Sequence, residues 1–303
     1  MPKTHSLDAD RGAAQVAPLL QALRLPVVRW AICVWLAACA ASALASTSSA
    51  HEPAIAFDEP YFEFQSDTYG IGISLDPVFI DYLSADLTGD GQFRELLAYV
   101  GKPSSLWLGI GGWGTHRPSV PAQAELREED GRTVLALRGI EFIGFLPTNT
   151  GQVAPVRADW VFEFHESFFD MTLTWQVMTD VAGLQEAGWA LNMDVLWYGD
   201  SEDARRASRD VQGFPRWILW YGPDIGVVAA FREGSTHLAA NRWYGNLESS
   251  YVIAHNWWKP GGSALDWGAY PGGTWRVGFF GGEQDIGAAE RIYKSINSED
   301  GQR

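Results

Sequence analysis

Two runs decide the fold: Trp160-Val-Phe-Glu-Phe-His165 and, shortly after it, Met171-Thr-Leu-Thr-Trp-Gln-Val-Met178. In the first, Phe162 and Phe164 fall on one side of an extended chain and Glu163 and His165 on the other, because successive side chains of a strand point to opposite faces. The second alternates in the same way. A period of two over runs of this length marks half-buried antiparallel strands and is incompatible with a helical stripe.

Working outward, Phe62 to Pro77 reads as a strand, a short turn and a second alternating strand. Thr133–Leu137, Trp189–Trp197, Trp217–Trp220, Gly226–Phe231, Ser250–His255 and Thr274–Phe280 either alternate or stay apolar throughout, with Gly, Pro, Asp and Asn between them. Helical periodicity is confined to Arg94–Tyr99, Ser201–Arg209 and Asp285–Ile296. No repeat or shift in composition marks a second domain. The pattern predicts an all-β chain, a single large antiparallel β-sandwich over residues 58–303 with few short helices.

The N-terminal segment differs in kind. Arg24 and Arg29 precede an uncharged apolar run from Trp30 that thins into Ala and Ser by Ala45, the order of a secretion signal. That run is shorter than the roughly 20 residues of a spanning helix. Residues 1–45 are therefore expected to be a signal peptide and 46–57 a tether, placing the protein outside the cytoplasm. Two cut sites compete: Ala43-Leu44-Ala45 suits ordinary signal peptidase, and Leu36-Ala37-Ala38-Cys39 resembles a lipobox. Processing at Cys39 would make a lipoprotein whose contact with a membrane runs only through its lipid.

Composition narrows the chemistry. Cys33 and Cys39 are the only cysteines, so the domain beyond them has no disulfide, thiolate nucleophile or cysteine-ligated metal. Residues 1–39 carry four of the 22 basic and two of the 37 acidic residues, which leaves 18 against 35, a net charge of −17. Such a field repels nucleic acid and slows polyanionic substrates. Neutral or cationic ligands are favoured, and the partner expected among them is an oligo- or polysaccharide. G-x-S-x-G, a P-loop and a strand-linked G-x-G-x-x-G are absent, as are close histidine pairs for a metal.

Aromatics and carboxylates supply the candidate site. Of 15 tryptophans, 13 follow residue 45. Trp160, Trp175 and Trp189 lie in regular alternation and are expected in the core, whereas Trp243, Trp258 and Trp267, beside Arg242, Tyr244 and Asn256, stand among Gly- and Pro-rich segments where rings can stack on a sugar. Asp194 alternates into an otherwise apolar run, where a buried carboxylate needs a partner or a role. Glu186 in the preceding Gln-Glu-Ala-Gly turn, or Glu163 beside His165, would complete an acid and base pair. His255 has the richest polar company of the histidines. Asp86-Leu-Thr-Gly-Asp90-Gly91 matches the first half of a calcium loop, but position 12 is Leu97, so a plain turn competes with a structural calcium and no cofactor is otherwise implied.

Phe64-Gln-Ser-Asp-Thr-Tyr-Gly-Ile-Gly-Ile-Ser-Leu-Asp-Pro77 with Ile80-Asp-Tyr-Leu83, the strands from Trp160 and Met171, and Pro271-Gly-Gly-Thr-Trp275 leading into a last strand together resemble the galactose-mutarotase-like β-supersandwich family across residues 58–285. The resemblance implies a carbohydrate-active protein: an epimerase, glycoside hydrolase, polysaccharide lyase or non-catalytic sugar binder. The epimerase arrangement of an Asn-His segment with a downstream Glu base is not reproduced, since His255 precedes Asn256. The net charge disfavours a lyase. The expectation is an exported glycan-cleaving enzyme using Asp194, Glu186, Glu163 and His255, with Trp243, Trp258, Trp267, Arg242, Tyr244 and Asn256 holding the substrate. A glycan-binding surface lipoprotein is its rival.

Overall fold

The computed structural model describes residues 53–298 apart from 59, 99–102, 113, 195–196, 204–209, 223–224, 236–241, 247–250 and 282–284. For residues 210–212, 242–246, 251–253, 255–263 and 265 it describes the backbone alone. The signal segment and its two cut sites lie outside the described residues. Residues 51–303 form one compact unit.

Two antiparallel sheets build the domain. The smaller has five strands in sequential order: β1 (Ala54–Asp58), β2 (Tyr61–Gln65), β3 (Tyr69–Leu75), β4 (Val78–Ala85) and β5 (Arg94–Glu95). β1 begins inside the stretch read as a tether, and the segment expected to be helical from Arg94 opens instead as a strand, Arg94 pairing with Ala85 and Glu95 with Ser84. Here ladder hydrogen bonds to β4 override a helical pattern too short to nucleate on its own.

The larger sheet has 14 strands. Its first seven are β6 (Leu106–Ile110), β7 (His116–Pro118), β8 (Gln123–Glu129), β9 (Arg132–Gly144), β10 (Val153–Phe164), β11 (Phe168–Val177) and β12 (Val181–Ala190). The rest are β13 (Trp197–Asp200), β14 (Asp210–Gly213), β15 (Trp217–Tyr221), β16 (Ile225–Phe231), β17 (Arg242–Asn246), β18 (Tyr251–Leu265) and β19 (Gly268–Gly281). Their order is β13-β15-β16-β19-β11-β10-β9-β7-β6-β12-β18-β17-β14, and β8 pairs with β9. A flat sheet would hold β19 and β12 about 29 Å apart, six spacings of about 4.8 Å. Yet the rings of Trp189 on β12 and Trp275 on β19 meet edge to face at 5.5 Å between centroids. The large sheet therefore curls on itself around its own inner face.

That inner face is where the alternation of β10 and β11 delivers its apolar residues. Trp160, Phe162, Phe164, Phe169, Met171, Leu173 and Trp175 are all buried in the main core. The small sheet packs on it through stacked rings: Phe62 and Phe64 lie 5.1 and 4.9 Å from Phe164, and Tyr69 lies 4.8 Å from Phe279. The result is an all-β sandwich.

The outer face is covered at one end by the only helix among the described residues, α1 (Ile286–Asn297). Asp285 caps it, its side chain accepting from the Ala288 amide at 3.0 Å. Trp217, Leu219 and Tyr221 of β15 and Val228 and Ala230 of β16 pack against Ala289, Tyr293 and Ile296 of the helix. Ile218, Trp220, Val227 and Ala229 turn the other way, into the main core. Coverage on both faces explains why these two strands read as continuous apolar runs.

Candidate functional site

Where α1 ends, the outer face of the large sheet opens into a polar cavity of about 420 Å³. Its floor is the polar side of the same strands whose apolar side forms the core. Glu163 stands opposite Asp170 across β10 and β11, Asp170 opposite Arg276 across β11 and β19, and Thr172 opposite Thr274. Charges thus run across the strands as a row.

The row is compensated from both ends. Arg276 donates to Asp170 in a bidentate pair, Nε to Oδ1 and Nη2 to Oδ2, both at 2.7 Å. Both side chains are nearly buried, at 10% and 9% exposure. Arg276 also donates to the Ser295 hydroxyl at 2.8 Å. At the other end Arg132 donates to Glu163 Oε2 at 2.9 Å. Without these guanidinium groups, two carboxylates directly opposed on neighbouring strands would repel.

Beyond this row lies His165. Its ring stacks on Phe168 at 4.2 Å, and the Arg276 guanidinium sits 3.8 Å over that same Phe168 ring. Burial lowers the imidazole pKa; Asp170 pulls it up, while Arg276 and Arg132 push it further down. The ring is therefore neutral at pH 7, and its buried Nε2 has no hydrogen-bond partner among the described residues. Arg232, Glu129 and the hydroxyls of Ser295 and Ser298 complete the rim. Three arginines face three carboxylates, so the cavity is close to neutral in a strongly acidic protein.

Of the sequence candidates, Glu163 is in this cavity, together with the His165 that shares its face. Asp194 is not: β12 ends at Ala190, and the chain then leaves the sheet to bond with residues 96–98 through Asp194 N–H to Leu96 O at 2.7 Å and Ala98 N–H to Asn192 O at 3.0 Å. Period-two reasoning lapses there, leaving Asn192 buried and Asp194 exposed. Glu186 is not in a turn but inside β12, fully buried, where its Oε1 accepts the Gly114 amide at 2.5 Å. Gly109 stands opposite it on β6, and a Cβ there would come within 2.6 Å of Glu186 Cγ. Asp194 and Glu186 are therefore not a pair across this cavity.

Arg242, Trp243 and Tyr244 were expected in a Gly- and Pro-rich loop, but their backbone forms β17; the strand expected over Ser250–His255 is present and runs on through Asn256 and Trp258 as β18. Arg242 is in register with His255, Trp243 with Ala254, and Trp258 with Glu186. Pro260 is tolerated because β17 pairing stops at His255 and β18 bulges against β12 between Trp258 and Ser263. Those six side chains lie outside the described residues. Trp267 is 72% exposed between β18 and β19, as a loop aromatic should be, but does not line the polar cavity. Trp160, Trp175 and Trp189 are core, as expected.

Asp86 organises its loop through hydrogen bonds. Its carboxylate accepts from the amides of Thr88, Gly89 and Gly91 and from the Thr88 hydroxyl. Burial raises its pKa, but these hydrogen bonds outweigh that and hold it below the ordinary value. Asp90 accepts from the Gln92 amide. Both are turn-forming arrangements, and the described residues contain no group of three or more His, Cys, Asp or Glu placed to hold a metal.

What sequence reasoning missed is Asp170 with Arg276, separated by 106 residues. The available signal was the polar side of β11, where Asp170, Thr172 and Thr174 alternate with core residues.

No family model matches the chain, and no curated protein does. Among solved structures it is similar to an active YidC insertase with its first transmembrane domain resolved, at 10% identity and a TM-score of 0.41, over 89% of this chain and 49% of that one. It is also similar to a 4-alpha-glucanotransferase from Thermococcus litoralis, at 12% identity and a TM-score of 0.40, over 76% of this chain and 39% of that one. The chain spans half or less of each of these proteins. Likenesses at this level carry no argument about its chemistry.

Proposed function

We propose that this is an exported carbohydrate-binding protein that holds a neutral glycan in the cavity between β10, β11, β19 and the end of α1. One observation carries the reading: a near-neutral cavity that combines paired, fixed charges with hydroxyls and an unpartnered imidazole nitrogen. Sugar hydroxyls are donor and acceptor at once, and preorganised carboxylate and guanidinium groups bind them without net charge on the ligand. A polyanion would meet Glu129, Glu163 and Asp170 as well as the arginines. The signal-like segment through Ala45 and the pattern resemblance to galactose-mutarotase-like proteins belong to the same proposal, as does the choice between Cys39 lipidation and a free form.

A second reading has a specific observation in its favour. Glu163 and Asp170 are directly opposed, where Cβ atoms stand about 4.5–5.5 Å apart, and retaining glycosidases hold their two carboxyl groups roughly 5–5.5 Å apart. Against cleavage, both Asp170 oxygens are engaged by one guanidinium and would have to be released for attack on a sugar carbon. A panel of neutral and acidic oligosaccharides, read by calorimetry and by new reducing ends, separates the cases. Binding of neutral members without new ends supports the binder, and new ends abolished by Glu163→Gln support the hydrolase. Absence of any glycan interaction would refute both.

A further inference from the structure

A second cavity, of about 360 Å³, opens between β4, β6 and β7, and its chemistry is the reverse of the first. We infer that it binds an apolar carboxylate, the hydrocarbon or aryl body seated among Phe79, Trp107 and Phe145 and the carboxylate on Arg117.

The walls are apolar apart from Ser105 and Arg117, and the Ser105 hydroxyl is already committed to Val78 O at 2.5 Å. The volume falls within the roughly 300–1,000 Å³ of small-molecule sites, which are mostly apolar with a few placed polar groups. Arg117 is the only charged residue of the lining, in a chain with 37 acidic residues. Its guanidinium lies 4.2 Å over the Phe145 ring. Among the described residues it makes no ion pair or hydrogen bond, so its planar donor edge is open for a carboxylate.

The cavity is also built rather than incidental. Trp107 lies so close over Gly114 that a Cβ there would fall 1.9 Å from Trp107 Cζ2. Gly114 has φ of +50°, and its amide is held from beneath by the fully buried Glu186 carboxylate. Glu186 thus acts as a positioning residue: it fixes the turn against which Trp107 rests.

The test uses the exported domain with decanoate as probe and decanol as its uncharged counterpart. Calorimetry is expected to give one-to-one decanoate binding with a negative heat-capacity change, the mark of apolar burial. Arg117→Gln is expected to weaken decanoate about ten-fold, the scale of one charge-assisted hydrogen bond, while leaving decanol unchanged. Phe145→Ser, on a half-exposed side chain, is expected to weaken both. No decanoate binding by the wild type, or equal decanoate affinity in Arg117→Gln, would overturn the inference. Neither outcome touches the glycan reading, which concerns a cavity that shares no lining residue with this one.

Discussion

Replacing Arg276 by Met is the most revealing single perturbation of the polar cavity. The variant leaves Asp170, only 9% exposed, without either of its two 2.7 Å donors. Breaking a buried pair by removing one partner costs about 3–5 kcal/mol, because the remaining charge is uncompensated. Loss of the guanidinium from the Phe168 ring adds up to about 1–2 kcal/mol. For a domain of this size 1 kcal/mol moves Tm by roughly 2–4 °C, so Arg276→Met should melt roughly 8–28 °C below the wild type in a tryptophan-fluorescence or calorimetric scan. The double variant Asp170→Leu/Arg276→Met strands no charge, and apolar replacements of buried pairs are often neutral or stabilising. It should recover to within about 1 kcal/mol of wild type while losing glycan affinity. A cost below about 1 kcal/mol for Arg276→Met, the range of exposed pairs, would refute the claim that the pair is desolvated.

Three further outcomes are expected. Phe164→Ala, which empties the centre of the aromatic layer between the sheets, should cost about 3–5 kcal/mol in urea unfolding. Asp285→Ala should cost about 1 kcal/mol and loosen α1, seen as faster amide exchange at Ala288. The Asp86 carboxyl has a folded pKa below its ordinary value of 3.8, so its stabilisation is present above that value and lost as pH falls through the folded one. Asp86→Ala should therefore flatten the acid limb of a stability-against-pH curve, and an unchanged limb would contradict the loop geometry.

The fold was legible wherever one face meets the core and the other meets solvent. Trp160 to His165 and Met171 to Val177 announced both their strands and the face each side chain takes. The same alternation put Glu163 and His165 on one face, and both line the polar cavity. It failed at Asp194, because the strand stops at Ala190 and the next residues bond to residues 96–98, just past the end of β5. It failed at Glu186 because a fully buried carboxylate in a strand is made tolerable by Gly109 and Gly114, partners more than 70 residues away. The Asp170 and Arg276 pair was invisible for the same reason: register between β11 and β19 is set by the whole sheet. The continuation of β18 beyond His255 was obscured by its Pro-Gly-Gly, which a bulge absorbs.

The central claim rests on the polar cavity, and the imidazole of His165 is its most direct reporter. Side-chain NMR of the histidines during titration with a neutral oligosaccharide should move the His165 ring resonances with the same isotherm that calorimetry gives, and leave those of His116, which lies outside the cavity, in place. Saturable glycan binding with the His165 resonances unmoved would contradict the account.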